Sequence, residues 1–209
     1  MQSKQQQILQ LLQEGNARFV AGKPKAHDHL ARAKETAENG QKPMVTILSC
    51  SDSRVPTEIV FDQGIGDVFS VRVAGNICRT SQLGSIEFGT KYLGTPLCVV
   101  LGHTKCGAVI AACTDLQLEE NIQCLTDSIC AAVERSTIIT GKKGNDVVED
   151  CTEENLFVQI ETMFKKSEII REMVRKGDLA IVAANYDLAT GVVKFLGEHP
   201  ENDKLVNLP

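Results

Sequence analysis

Two short apolar runs stop abruptly at residues that bind soft metals or move protons, and this constrains the fold more than any other feature of the chain. Residues 44–49 read as a strand and deliver Cys50, Asp52 and Arg54 within ILSCSDSR. Residues 96–101 read as another strand and deliver His103 and Cys106 within VVLGHTKC. The two groups are far apart along the chain. A sheet with both strands running parallel gathers their carboxyl ends, and in open α/β sheets functional residues collect there.

The remaining pattern fits such a sheet. A short helix is predicted over 57–61, after Pro56, a residue suited to a first helical turn. Residues 68–74 read as a strand, 82–93 as a helix, and 107–113 as the start of another. A helical region follows over 122–139, then a polar break at 141–145. Leu156, Ile160, Met163, Phe164, Ile170, Met173 and Val174 predict one long amphipathic helix. Strands over 179–186 and 192–196 flank the turn 187–191. Strands alternating with helices predict an α/β fold with a mainly parallel central sheet flanked by helices. A chain of 209 residues that is 43% hydrophobic can bury one sizeable core, so residues 41–209 are expected to form a single domain.

The first forty residues read differently. Ile8, Leu11, Leu12 and Phe19 recur at helical spacing over 5–19, and a second helix over 29–38 ends at Asn39-Gly40, a C-cap signal. Both helices are thin in apolar residues. Residues 1–40 are therefore expected to be a helical arm that packs on a partner subunit.

A net charge of -5 gives no reason to expect a nucleic acid partner. No apolar run is long enough to span a bilayer, and the N-terminus lacks the apolar core of a secretory signal. The eight cysteines are spread through apolar or mixed contexts, unlike the dense framework of a small secreted scaffold. Free thiols in a reducing compartment are expected, the cytoplasm first and an organelle for a processed mature form. His27, His29 and His199 fall in polar stretches and read as solvated.

Two thiols and an imidazole at strand ends are a zinc donor set. Cys50, His103 and Cys106 are the expected ligands, with Gly102 and Gly107 allowing close backbone approach. Three ligands leave a fourth position, where water becomes a hydroxide nucleophile near neutral pH. Two thiolates raise the pKa of that water relative to an all-imidazole site. Asp52 paired with Arg54 compensates by accepting its proton and orienting the hydroxide. Released from Arg54, Asp52 becomes a fourth zinc ligand and closes the site.

At these residues the chain resembles the β-class carbonic anhydrases. The resemblance rests on CSDSR at 50–54, HTKC at 103–106 followed by GAV, FSVRVAGN at 69–76 and GSIEF at 84–88, and it covers about residues 10–196. It implies one zinc ion per subunit on Cys50, His103 and Cys106, an Asp52–Arg54 catalytic dyad, and reversible hydration of CO2 to bicarbonate and a proton. It also implies a mixed, mainly parallel sheet and a homo-oligomer, a dimer or dimer of dimers, with the site at the subunit interface. Gln41 matches a substrate-side glutamine, Phe69 and Phe88 match pocket-lining aromatics, and Gly107 joins them as a substrate-binding candidate. Some relatives hold regulatory bicarbonate at a second site that includes a tryptophan. Ile47 stands at that position here, while Arg72 and Tyr186 match its other members. The same zinc chemistry also suits hydrolysis of carbonyl sulfide or carbon disulfide. A non-catalytic structural zinc protein is the remaining reading.

Overall fold

The computed structural model describes residue 1 and residues 3–208. Among the described residues, five strands form one sheet: β1 (Val45–Ser49), β2 (Val68–Arg72), β3 (Leu97–His103), β4 (Ala180–Tyr186) and β5 (Val193–Gly197). Their order is β2-β1-β3-β4-β5. Strands β1 to β4 run parallel and β5 is antiparallel to β4. Every residue of β1 and β3 is buried, as continuous apolar runs in a sheet covered on both faces should be. These two strands pair directly, Ser49 opposite Leu101, so Cys50 and His103 emerge side by side at the same edge.

Among the described residues there are ten α-helices: α1 (Ser3–Val20), α2 (His29–Asn39), α3 (Thr57–Val60), α4 (Thr80–Glu87), α5 (Gly107–Cys113), α6 (Glu120–Asp127), α7 (Cys130–Thr140), α8 (Val148–Lys166), α9 (Glu168–Arg175) and α10 (Asn202–Val206). On one face Leu156, Ile160, Met163 and Phe164 of α8 pack on Leu48 and Val100. On the other, Ile8 and Leu12 of α1 and Val60 of α3 pack on Ile47, Val99 and Val182. A third cluster gathers Cys50, Cys106, Val109, Ile129 and Val147 beyond the strand ends. No helix among the described residues is long and apolar enough to cross a membrane.

Several expected elements are divided. The single helix expected over 156–174 is two, α8 and α9. Ser167 adopts φ -128 and ψ 107, and its hydroxyl accepts from Ile170 N at 3.1 Å. That cap keeps α9 on the same apolar face, so the periodicity runs through the break unmarked. The helical region over 122–139 splits into α6 and α7. The helix expected over 82–93 gives way at Phe88–Tyr92 to a wider π turn. There Gly89 lies so close to the sheet that a Cβ would sit 2.5 Å from Thr46 Oγ1. The strand expected to reach residue 74 ends at Arg72, and Ala74–Asn76 forms a tight turn.

Both helices expected in the N-terminal arm are present. Helix α1 docks on its own chain. Asn16 is buried, donating to Val60 O (3.1 Å) and Gly191 O (2.8 Å) and accepting from Val193 N (2.9 Å). Those three polar anchors offset the thin apolar stripe, because each satisfies a backbone group that would otherwise be buried alone. Helix α2 buries no residue and is tied down by Arg32 to Asp67 at 3.1 Å. The reading of His199 as solvated is also corrected. It is buried edge-on against Phe157, its Nε2 3.4 Å from Glu161. Glu161 is itself buried and draws in Arg135 and Lys165, as an interior carboxylate must. His27 is half-buried, 3.2 Å from Asp62, and His29 stays exposed.

Candidate metal centre

Cys50 follows the last residue of β1, His103 ends β3, and Cys106 immediately precedes α5. Lys105 takes φ 55, a left-handed conformation that reverses the chain between His103 and Cys106. The two sulfurs lie 4.0 Å apart. A ligand atom from each of the three residues lies within 4.8 Å of the others. His103 is wholly buried, and its Nδ1 donates to Thr104 O at 2.9 Å. That bond places the proton on Nδ1 and leaves Nε2 as an acceptor. Nε2 has no hydrogen-bond partner among the described residues. Thr104 is fixed in turn, its N–H on Tyr186 O at 2.9 Å and its hydroxyl accepting from Leu188 N at 3.1 Å. A buried acceptor left unpaired is costly; a metal ion among the two sulfurs and Nε2 would satisfy it. The soft donor set fits zinc.

The thiols titrate as a pair. A hydrogen bond from the Cys106 thiol pulls Cys50 down to about 4, helped by the N–H groups of Asp52 and Gly75, while burial opposes. Cys106 is pushed up by its bond to Cys50, by burial and by the charge on Cys50. One proton leaves easily and the second does not. A dication removes the repulsion that retains it, so metal binding and deprotonation are linked.

Asp52 and Arg54 form a two-pronged pair at the mouth. Arg54 Nε donates to Asp52 Oδ1 at 2.9 Å, Nη2 to Oδ2 at 2.7 Å, and the Arg54 backbone N–H to Oδ1 at 2.9 Å. The guanidinium holds the Asp52 carboxyl well below the usual carboxylate range. Asp52 Oδ2 lies 3.9 Å from His103 Nε2, beside the Cys50–His103–Cys106 cluster and turned toward Arg54. Sequence reasoning gave Arg72 no part in holding this loop. From edge strand β2 its Nε donates to Cys50 O at 3.2 Å and its Nη2 to Asp52 O at 2.7 Å. No motif signals those two bonds, because their acceptors are backbone carbonyls.

The substrate-side candidates are dispersed. Phe69 and Phe88 meet at 6.1 Å between ring centroids, and Phe88 stacks on Tyr92 at 5.7 Å. Phe88 and Tyr92 are exposed. Gln41 is exposed on the segment leading into β1. Gly107 heads α5, where a Cβ would meet nothing within 4 Å; at Gly102 a Cβ would lie 2.9 Å from Leu156. The close backbone approach expected of both glycines is therefore found within the chain at Gly102.

Residues 45–193 match the family model described as carbonic anhydrase. Carbonic anhydrase 2 of Mycobacterium tuberculosis is 37% identical over 180 residues, covering 86% of this chain and 87% of that protein. The β-carbonic anhydrase CafA of Aspergillus fumigatus superposes with a TM-score of 0.72 at 25% identity, covering 85% of this chain and 92% of that one. A tetrameric β-carbonic anhydrase of Sordaria macrospora gives 0.67 at 23% identity over 80% of this chain and 92% of its own. Family-model match, sequence identity, structural superposition and the Cys50–His103–Cys106 cluster agree: the chain belongs to the β-carbonic anhydrase family.

Proposed function

We propose that this protein hydrates CO2 reversibly to bicarbonate and a proton, using one zinc ion per subunit held by Cys50, His103 and Cys106. The observation that carries this reading is the fully buried, unpaired Nε2 of His103, converging with two sulfurs beneath a carboxylate fixed by Arg54. Zinc bound there supplies a Lewis acid that makes water a nucleophile near neutral pH. Asp52 stays anionic because Arg54 stabilises its charge, so it accepts hydrogen bonds reliably and stores a proton poorly. Its role in this reading is to orient a donor at Oδ2. Were Arg54 to let go, Asp52 would serve as the fourth ligand and close the site.

Gln41, Phe69, Phe88 and Gly107 are the substrate-side residues of this reading. The exposure of Gln41 and Phe88 in a single chain supports a pocket completed by a second copy, a dimer or dimer of dimers. Eight free cysteines support a reducing compartment such as the cytoplasm. A purely structural zinc site has no use for the Asp52–Arg54 pair at its mouth.

The test is stopped-flow CO2 hydration by zinc-loaded protein between about pH 7 and 9, with carbonyl sulfide and carbon disulfide assayed beside it. Faster turnover of either sulfur substrate than of CO2 reassigns the reaction, and no turnover of any of the three overturns it. Cys50→Ser should abolish both zinc retention and activity, since serine is a poor ligand for borderline-soft zinc. Full zinc occupancy in that variant would sink the ligand assignment.

A further inference from the structure

We infer that Asn155 and Gln159, two buried amides on α8, are positioning residues that hold the 74–76 turn so that the Gly75 N–H stays on Cys50, and that this relay sets how tightly the metal is held. The inference rests on Cys50 being a zinc ligand. Each link is a hydrogen bond. Gly75 N donates to Cys50 Sγ at 3.4 Å. Asn155 Nδ2 donates to the carbonyl of the same glycine at 3.1 Å. Gln159 Nε2 donates to Asn155 Oδ1 at 2.8 Å and to Ser128 O at 3.1 Å. Gln159 Oε1 accepts from Cys78 N at 2.8 Å, beyond the far end of the turn.

Two observations say that this is more than packing. Both amides are 1% exposed, on a helix whose neighbouring core positions are Leu156 and Ile160. Burying polar groups there is expensive unless every one is satisfied, and a satisfied buried network fixes a single geometry. The turn also needs outside support. Gly75 has φ 73 and Asn76 φ 43, both left-handed, and asparagine reaches that region only at a cost. A Cβ at Gly75 would lie 2.9 Å from Ile129 Cδ1 and 3.1 Å from Ala108 Cβ, which together with φ 73 makes glycine the residue suited to the approach that aims this N–H at sulfur. An N–H aimed at the sulfur fixes its position and the direction of its lone pairs relative to His103 and Cys106. Removing partners behind metal ligands costs about 10- to 100-fold in metal affinity or activity.

Asn155→Asp preserves shape and removes the donor to Gly75 O. Chelator competition should show its zinc affinity weakened at least about 10-fold. In cobalt-loaded protein the sulfur-to-metal charge-transfer band should move to lower energy, because Cys50 loses its hydrogen bond. Gln159→Glu keeps the acceptor for Cys78 N and loses the donor to Asn155; it should shift both readouts the same way and decides the matter if Asn155→Asp does not fold. Ser167→Ala removes the α9 cap and is the stability control; it should melt lower with neither readout changed. Zinc affinity within about threefold of the parent and an unmoved cobalt band in a folded amide variant would overturn the relay and leave a structural role. Cys50→Ser separates the failures. Zinc retained there removes the ligand assignment itself, whereas zinc lost there but held tightly by the amide variants removes only the relay.

Discussion

The strand ends that carry the cysteine centre and the helix pair at the N-terminus are both held by polar contacts, but over different distances. At the centre, much of the geometry comes from near neighbours. Arg54 grips Asp52 two positions away, and His103 is oriented by the carbonyl of Thr104. In α1 the anchors reach across the molecule, Gln5 to Gly177 and Asn16 to Val60, Gly191 and Val193. Chemistry that must be precise at one point can be written in a short segment. Attachment of a helix to a sheet can be written only in pairs of distant positions. Substitutions should separate the two regions accordingly, rate without stability at the centre and stability without rate in α1.

The largest expected effect is on rate. Arg54→Ala frees Asp52, and the variant should keep its zinc while CO2 hydration falls at least about 100-fold, near 3 kcal/mol of barrier. Asp52→Asn should do the same by losing the acceptor charge. The Arg54 side chain is 56% exposed, so its removal should leave the melting temperature nearly unchanged, as for most exposed ion pairs. Elemental analysis, stopped-flow kinetics and thermal denaturation measure the three quantities. Either variant turning over within about threefold of the parent would demote the dyad to a surface ion pair.

The next effect is on stability. Leu12 is fully buried among Ile47, Val99 and Val182, and Leu12→Ala should cost about 2–5 kcal/mol. Activity per folded molecule should not change. Because Leu12 and Asn16 belong to the core of their own chain, deleting residues 1–39 should unfold or aggregate the protein. A truncated protein that melts like the parent and merely loses its partner in light scattering would place residues 1–39 on the partner subunit instead.

What was legible in the sequence follows the same division. The order of strands and helices, the buried strands and the convergence of Cys50, His103 and Cys106 could be read, because apolar runs and soft ligands mark themselves. The break at Ser167 could not, because a capping serine leaves the apolar stripe on the same face. Nor could the docking of α1. Counting apolar residues gives Asn16 no weight, although its side chain satisfies two carbonyls and an N–H that would otherwise be buried unpaired. His199 was misread for a related reason: its polar neighbours in sequence say nothing of Phe157 and Glu161, which bury it. Arg72 was noticed through its likeness to an anion site, yet its donors serve the carbonyls of Cys50 and Asp52. Side chains that act on distant backbone leave no pattern along the chain.

The smallest effect concerns α2 and sharpens the comparison within the N-terminal pair. Asp28 caps this helix, its Oδ1 accepting from Ala31 N at 2.9 Å. Removing such a cap typically costs about 1 kcal/mol of helix stability. Helix α2 buries none of its residues, so little of that loss should reach the global transition. Asp28→Ala should speed amide exchange within α2 while shifting the melting midpoint by less than the equivalent of about 0.5 kcal/mol. Leu30, 66% exposed, should likewise tolerate Leu30→Ser without loss of stability in the isolated subunit. If α2 lies on a partner, as expected of an N-terminal arm, Leu30→Ser should weaken self-association in light scattering at unchanged fold. A fall in subunit stability as large as that of Leu12→Ala would show that α2, like α1, is held by the core of its own chain.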